Sequence, residues 1–295
     1  MGTEFKILID NDIEENNIIA AKAAFDEAKR LNSIFSDYDA DSELSKLSNS
    51  SFDNRKVRLS EELFEVLEFS KSLAKKTEGA FDPTLGQLSR LWRISRFRKS
   101  LPTNTSIERA MNSVGYQHLN LNKSLKEATL LKSGIILDLG GIAKGYTADR
   151  MMLVLKKMGF SRCIIDAGGD LTIGKRPRKK SGWEIQIGGH KHPDLPMLTL
   201  ENCSVATSGD STQFIQIDGK KYSHILNPNT GYGLEHLSQV TVIARDGMSA
   251  DSLATALSVL GPKKSRELGF LKVEEGTRAF FLTQEDEKQI LKIRN

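Results

Sequence analysis

"LDLGGIAKGYTADR", residues 137–150, carries an apolar run into a glycine-rich turn with one lysine and then into a helix. That order suggests a nucleotide-binding turn, and two templates compete for it. The phosphate-cradling loop needs spaced glycines and then Lys-Ser or Lys-Thr, so that backbone N–H groups and the lysine face one phosphate. Here Lys144 is followed by Gly145. The dinucleotide fingerprint needs Gly-x-Gly-x-x-Gly, whereas Gly140 and Gly141 are adjacent and Gly145 follows only after three other residues. Neither template fits, so the turn takes its meaning from the segments on either side.

Upstream, "MGTEFKILID" (1–10) reads as a strand, and residues 16–36 place apolar side chains at helical spacing, which predicts a long amphipathic helix. Asp41-Ser42-Glu43 looks like the cap of a short helix. Residues 59–79 carry a full set of helix signals: Ser60 as N-cap, acids in the first turn, lysines in the last, and Gly79 as the stop. A loop and short helix follow in "AFDPTLGQLSRLW" (80–92), another short helix at 106–113, and a strand in "GYQHLNLN" (115–122).

Downstream of residue 128 strands dominate. "IILDLGG", "CIIDAGGDLTIG", "GWEIQIGG", "LTLENCSVATSG", "QFIQIDGKKYSHILNP" and "LSQVTVIARDG" are β-rich runs bounded by glycine or asparagine. Two helices interrupt them, at 146–158 and at 249–260, the second stopped by Gly261-Pro262. Helices early and strands late predict an α+β fold with mixed or antiparallel sheets and flanking helices. No repeat or linker divides the chain, so residues 1–295 read as one domain.

Composition narrows the function classes. The 295 residues include 42 basic and 38 acidic ones, a net charge of +4, which is too balanced to point to nucleic acid. The basic run "GKRPRKKSG" (174–182) reads as a solvated hairpin tip. Cys163 and Cys203 stand forty residues apart in apolar stretches without metal or redox spacing, and read as buried free thiols. No apolar run approaches the roughly 18 residues that span a membrane, and the start lacks the regions of a signal peptide.

Candidate chemistry gathers at four places. Asp251 and Thr255, four apart in the 249–260 helix, project from one face and together offer hard oxygen ligands of the kind that Mg²⁺ takes alongside substrate phosphate. The same pair equally suits a carboxylate that complements the helix dipole and a hydroxyl that bonds back to a carbonyl. His224, at the end of a strand and before a Pro/Asn/Gly turn, is the histidine best placed to move a proton, or else one bonded into its turn. Asp82 precedes a proline that extends the backbone and aims its carboxylate. "DAGGD" (166–170) ends a strand with two glycines, where backbone can approach a ligand; ordinary turn chemistry also accounts for both of these last features.

Taken in order, "MGTEFKI", "FSDYDADSELSKLS", "GAFDPTLGQLSRLW", "LDLGGIAKGYTADR", "DAGGDL", "VATSGD", "YSHILNPNTG" and "VTVIARDGMSADSLATALSVLG" resemble the FAD:protein FMN transferases, the ApbE-type flavin transferases. The resemblance extends from residue 1 to about residue 261. It implies a two-lobed fold with the active site in the cleft between the lobes. It also implies Mg²⁺-dependent transfer of the FMN half of FAD to a threonine hydroxyl of a target protein, such as a redox flavoprotein subunit, with release of AMP.

Carried over residue by residue, the resemblance assigns the metal to Asp251 and Thr255 with the backbone of Ala143 and Ala254. FAD, the substrate, falls to Met1, Tyr38, Ala80, Phe81, Asp82, Gly140, Tyr146 and Ile225, with the aromatic rings facing flavin or adenine. The threonine proton falls to His224. On this reading the metal, rather than Lys144, sits at the diphosphate. Hydrolysis of FAD to FMN and AMP, and FAD binding without turnover, are the alternative activities, and a bulky Tyr38 is expected to limit water. In many relatives the Met-Gly-Thr strand follows an export signal and a lipidated cysteine; the expected location is the cell envelope if such a leader preceded this chain and the cytoplasm otherwise.

Overall fold

The computed structural model of the chain describes residues 2–188, 195–209, 214–217, 219–235, 238–270, 277–283 and 290–293. Its first half contains β1 (Phe5–Ile9), α1 (Glu14–Phe35), α2 (Glu43–Asn49), β2 (Val57–Arg58), α3 (Glu61–Lys76), α4 (Gly86–Arg98), α5 (Asn104–Met111), β3 (Leu119–Asn122) and β4 (Glu127–Leu130). The second half contains α6 (Ala143–Lys157), β5 (Cys163–Ala167), β6 (Asp170–Ile173), β7 (Trp183–Gln186), β8 (Met197–Leu200) and β9 (Cys203–Ser208). It ends with β10 (Phe214–Ile217), β11 (Lys220–Ser223), β12 (Ser238–Ala244), α7 (Gly247–Glu267), β13 (Arg278–Thr283) and β14 (Ile290–Ile293).

Local chemistry accounts for the helix ends. The hydroxyls of Ser42 and Ser60 accept from the backbone N–H groups of Ser45 at 3.0 Å and Leu63 at 3.2 Å, capping α2 and α3. Past α3, Glu78 and Gly79 turn the chain through positive φ. Helix α4 runs on to Arg98, longer than the short helix expected there, until Lys99 breaks it in the left-handed region. In α7 the expected stop occurs at Gly261, whose φ of 68° and ψ of 170° break the helix. A second helical piece then resumes at Pro262, a residue suited to a first helical position because it has no N–H to satisfy.

The main sheet has the strand order β1-β5-β6-β9-β12-β13-β14, and every ladder between these neighbours is antiparallel. Side chains alternate across it. Cys163, Ile165 and Ala167 of β5 pack under α1 and α6 with Ala20, Ala24, Met151 and Leu155, while Val240, Val242 and Phe281 pack under α7 with Ala250, Ala254 and Leu257. Ile173, Val205, Ile243 and Phe280 point the other way, to the β7–β8 hairpin with Ile185 and Leu200. Burial on both faces explains why these strands read as near-continuous apolar runs. Cys163 is a buried free thiol as expected, whereas Cys203 is only half-buried.

The remaining elements form a second group. A small sheet, β2-β4-β3, joins α2 and α3 around Leu44, Leu63, Leu119 and Leu130. The β10–β11 hairpin packs on α4 and α5 around Trp92, whose indole N–H donates to the Gly231 carbonyl at 2.8 Å. "IILDLGG" was expected as a strand and is not one. It alternates as a strand does, with Ile135, Leu137 and Leu139 buried. Its backbone partners, however, are the loop ahead of α4 and a hydroxyl: Asp138 N–H donates to Pro83 O, Gly86 N–H to Ile136 O, and Leu137 N–H to Ser48 Oγ. Among the described residues a single parallel bridge, Leu85 to Ile136, is all the strand pairing this segment makes. No helix among the described residues is long and apolar enough to cross a membrane.

Candidate functional site

Where the two groups meet lies a cavity of about 410 Å³. Its wall takes residues from the turn after α1, the loop into α4, the 138–144 turn, the β5–β6 hairpin, the end of β9, the β10–β11 hairpin and α7. The opening glycine turn stands at its centre, and the geometry of α6 against α7 explains its sequence.

These two helices cap each other. The N–H of Gly145, near the start of α6, donates to Asp251 Oδ2 at 3.1 Å, and the N–H groups of Gly247 and Met248, at the start of α7, donate to Asp149 at 2.7 and 3.0 Å. Each helix thus brings a carboxylate to the other's positive end. Burial nevertheless pushes the Asp149 carboxyl up to about 7, against the lowering effect of those two N–H groups. So close an approach leaves no room for side chains. A Cβ on Gly145 would stand 2.0 Å from Gly247 O and 2.9 Å from Asp251 Cβ, and a Cβ on Gly141 would stand 2.8 Å from Thr255 Oγ1. Gly145→Ala is therefore expected to force α6 and α7 apart and to lower stability by about 1–3 kcal/mol, the usual scale of overpacking. Thermal unfolding checks this, and an unchanged midpoint would contradict the close contact.

The same approach gathers a charge cluster. Lys144, next in line to Gly145, donates its ammonium to Asp170 Oδ2 and to Asp251 Oδ1, the latter at 3.3 Å. Asp170 Oδ1 accepts from the Thr207 N–H at 3.0 Å. Burial raises the Asp251 carboxyl to about 6, with the neighbouring Asp170 charge adding to the rise and Lys144 opposing it. Burial disfavours the charge on Lys144 too, but the two carboxylates outweigh that and hold its pKa above the usual lysine range. Asp251 and Thr255 lie on the cavity wall, one helical turn apart, as the i, i+4 spacing predicts. Among the described residues no group of three or more His, Cys, Asp or Glu stands together. The donors are therefore two carboxylates and a hydroxyl, all hard oxygen, around a point that already attracts a cation. That set fits Mg²⁺, which keeps several waters and takes the rest of its shell from substrate phosphate.

Most residues expected at FAD line this cavity. Tyr38 stands at the wall, 69% exposed, with the Arg93 guanidinium 4.3 Å from its ring centroid. Arg93 in turn pairs with Asp37 at 2.5 Å and lies 3.6 Å from Asp138. Ala80, Phe81, Gly140, Ala143 and Ile225 also line it. Asp82 does so with its carboxylate already engaged: Oδ1 accepts from the N–H and hydroxyl of Thr84, and Oδ2 from the Tyr116 N–H. Burial raises the Asp82 pKa in spite of these bonds. His224 is exposed on the wall after β11, in a backbone held on either side. Ser223 N–H donates to Leu234 O, Leu234 N–H to Ile225 O, and Ile225 N–H to Ser223 Oγ.

Two expected residues fall elsewhere, and Met1 is not among the described ones. The Tyr146 ring does not line the cavity: it is buried edge-on against Phe35, and its hydroxyl donates to Glu65 at 2.8 Å, because its place in α6 turns it toward α1 and α3. Ala254 is also off the wall, its side chain packed in the core under α7 and its carbonyl accepting from the Ser258 hydroxyl. Conversely, sequence reasoning did not single out Asp170, Arg93 or Asp138, and it set Lys144 aside. Asp170 had a usable signal, a carboxylate directly after the paired glycines of "DAGGD".

Comparison with known proteins bears on the family and the fold. The ApbE family model matches residues 1–281. The chain is 30% identical over 250 residues to the FAD:protein FMN transferase of Haemophilus influenzae, covering 81% of this chain and 72% of that protein. It is 30% identical over 272 residues to a FAD:protein FMN transferase of Klebsiella pneumoniae, covering 90% and 82%. Among solved structures, the ApbE protein of Thermotoga maritima matches with a TM-score of 0.87 at 30% identity, over 99% of this chain and 94% of its own. The flavin transferase ApbE of Vibrio cholerae matches with a TM-score of 0.85 at 25% identity, over 97% and 92%. A family pattern that runs through nearly the whole sequence, on a fold shared with solved relatives, makes this chain a member of the ApbE family.

Proposed function

We propose that this protein transfers the FMN moiety of FAD to a threonine hydroxyl of a target protein, in a Mg²⁺-dependent reaction that releases AMP. The observation that carries the reading is that one cavity brings together the side-chain oxygens of Asp251, Thr255 and Asp170 and an exposed strand-end histidine, His224. The names of the relatives supply the substrate class. Mg²⁺, held by Asp251 and Thr255, would neutralise diphosphate charge and stabilise the departing AMP.

The chain's own residues do the rest. Tyr38, steadied by Arg93, and the loop holding Phe81 and Asp82 orient the nucleotide. His224 takes the hydroxyl proton as the threonine oxygen attacks the FMN-side phosphorus. A P–O bond to threonine forms, the diphosphate P–O bond breaks, and AMP leaves with the electron pair. Positioning and charge neutralisation supply most of the rate in such transfers.

Incubation with FAD, Mg²⁺ and candidate acceptor proteins tests the reading, with intact mass as the readout. The expected result is an FMN adduct on one threonine, dependent on Mg²⁺. Fast AMP release with no adduct would instead establish hydrolysis, and FAD that stays bound and intact would establish a binding protein.

A further inference from the structure

Lys144 is the lysine of the glycine turn, and neither phosphate-binding template accounts for it. Its place in the cavity does. Asp251 and Asp170 are nearly buried, with side chains 6% and 10% exposed, and each commits one oxygen to a backbone N–H: Asp251 Oδ2 to Gly145, and Asp170 Oδ1 to Thr207. The other oxygen of each faces the Lys144 ammonium. Asp251 therefore has one oxygen left to offer a metal, and Lys144 already holds it. Two carboxylates in such burial need a counter-charge, since leaving either unpaired is costly. A divalent ion on Asp251 Oδ1 and an ammonium about 3 Å from the same oxygen repel each other strongly at low local dielectric.

We infer that Lys144 is an exchangeable counter-cation: it neutralises Asp251 and Asp170 until Mg²⁺ takes Asp251, and it then stays on Asp170 alone, with its charge turned to the cavity where the diphosphate lies. The inference rests on the reading that Asp251 ligates Mg²⁺. It gives separate tasks to the two carboxylates. Asp251 binds the metal, while Asp170 is a positioning residue that draws the lysine aside so that the metal can enter. It also accounts for a lysine whose neighbour in sequence is the glycine that anchors Asp251: the turn that orients the ligand carries its own placeholder.

The test is titration of the intact protein with Mg²⁺ alone, followed by calorimetry and by the rise in Tm. Lys144→Met should bind Mg²⁺ at least about tenfold more tightly than the parent, because no cation has to be displaced. It should also show the larger Mg²⁺-induced rise in Tm, because its metal-free form carries two unneutralised carboxylates. Lys144→Arg should behave like the parent. Lys144→Gln gives the same direction as the Met variant should that one fail to fold.

Asp170→Asn completes a double-mutant cycle. It should weaken Mg²⁺ binding about tenfold in the parent, where the lysine would then cling to Asp251, and clearly less when Lys144 is Met, where only the loss of the Asp170 charge itself acts. Equal Mg²⁺ affinity in parent and Lys144→Met would overturn the exchange. So would equal weakening by Asp170→Asn in both backgrounds, which would make Asp170 a direct ligand. If Asp251→Asn leaves Mg²⁺ binding unchanged, the metal reading itself falls, and the exchange with it.

Discussion

Asp251→Asn is expected to reduce flavin transfer by on the order of 10³-fold or more, the scale on which loss of a metal or of a principal charge stabiliser acts on a transition state. The substitution is chosen for what it leaves in place. Asparagine keeps an oxygen for the Gly145 N–H, which Asp251 Oδ2 holds at 3.1 Å, so the contact between α6 and α7 persists. It removes the charge that Lys144 pairs with and that the proposed Mg²⁺ site requires. FAD binding, followed by flavin fluorescence, should survive within a few-fold, because Tyr38, Phe81 and Ile225 sit on other elements. A variant that keeps transfer within tenfold of the parent at saturating Mg²⁺ would remove Asp251 from the metal site.

His224→Ala should slow transfer by on the order of 10²–10⁴, the usual contribution of a positioned general base. Because the histidine is exposed and its neighbours Ser223 and Ile225 are pinned by backbone bonds, stability and FAD affinity should hardly change. Single-turnover measurement of FMN attachment at saturating FAD isolates the effect on the chemical step. Added imidazole should restore part of the rate, since it refills the space and the proton acceptor together. Equal single-turnover rates in variant and parent would take His224 out of the reaction.

Much of the secondary structure was legible because its signals are local. A cap such as Ser60 lies three residues from the N–H group it satisfies, and Gly261 breaks a helix through its own φ. The pairing of Asp251 with Thr255 was legible for the same reason, since helical periodicity alone puts them on one face. The α+β class followed from the run of strands after residue 128, and the fold bears it out with antiparallel ladders throughout the main sheet. "IILDLGG" misled because alternation reports which side of a segment is buried and is silent on what supplies its hydrogen bonds. Here a loop and the Ser48 hydroxyl do so.

The glycines of residues 137–150 show where local reading stops. From the sequence they marked a glycine-rich turn that fits neither phosphate-binding template. Only the packing of α7 reveals that Gly145 is small because the Gly247 carbonyl lies against it, and that Gly141 is small because of Thr255. Lys144 meets Asp170 across 26 residues and Asp251 across 107. Arg93 likewise reaches Asp37 and Asp138 from α4. The sequence by itself determined the helices, the alternating strands, the candidate ligand pair and the family pattern, because each depends on residues a few positions apart or on their order. The tertiary structure alone decided which charges share a buried space, because Coulomb energy and desolvation depend on distances that sheet order and helix packing set.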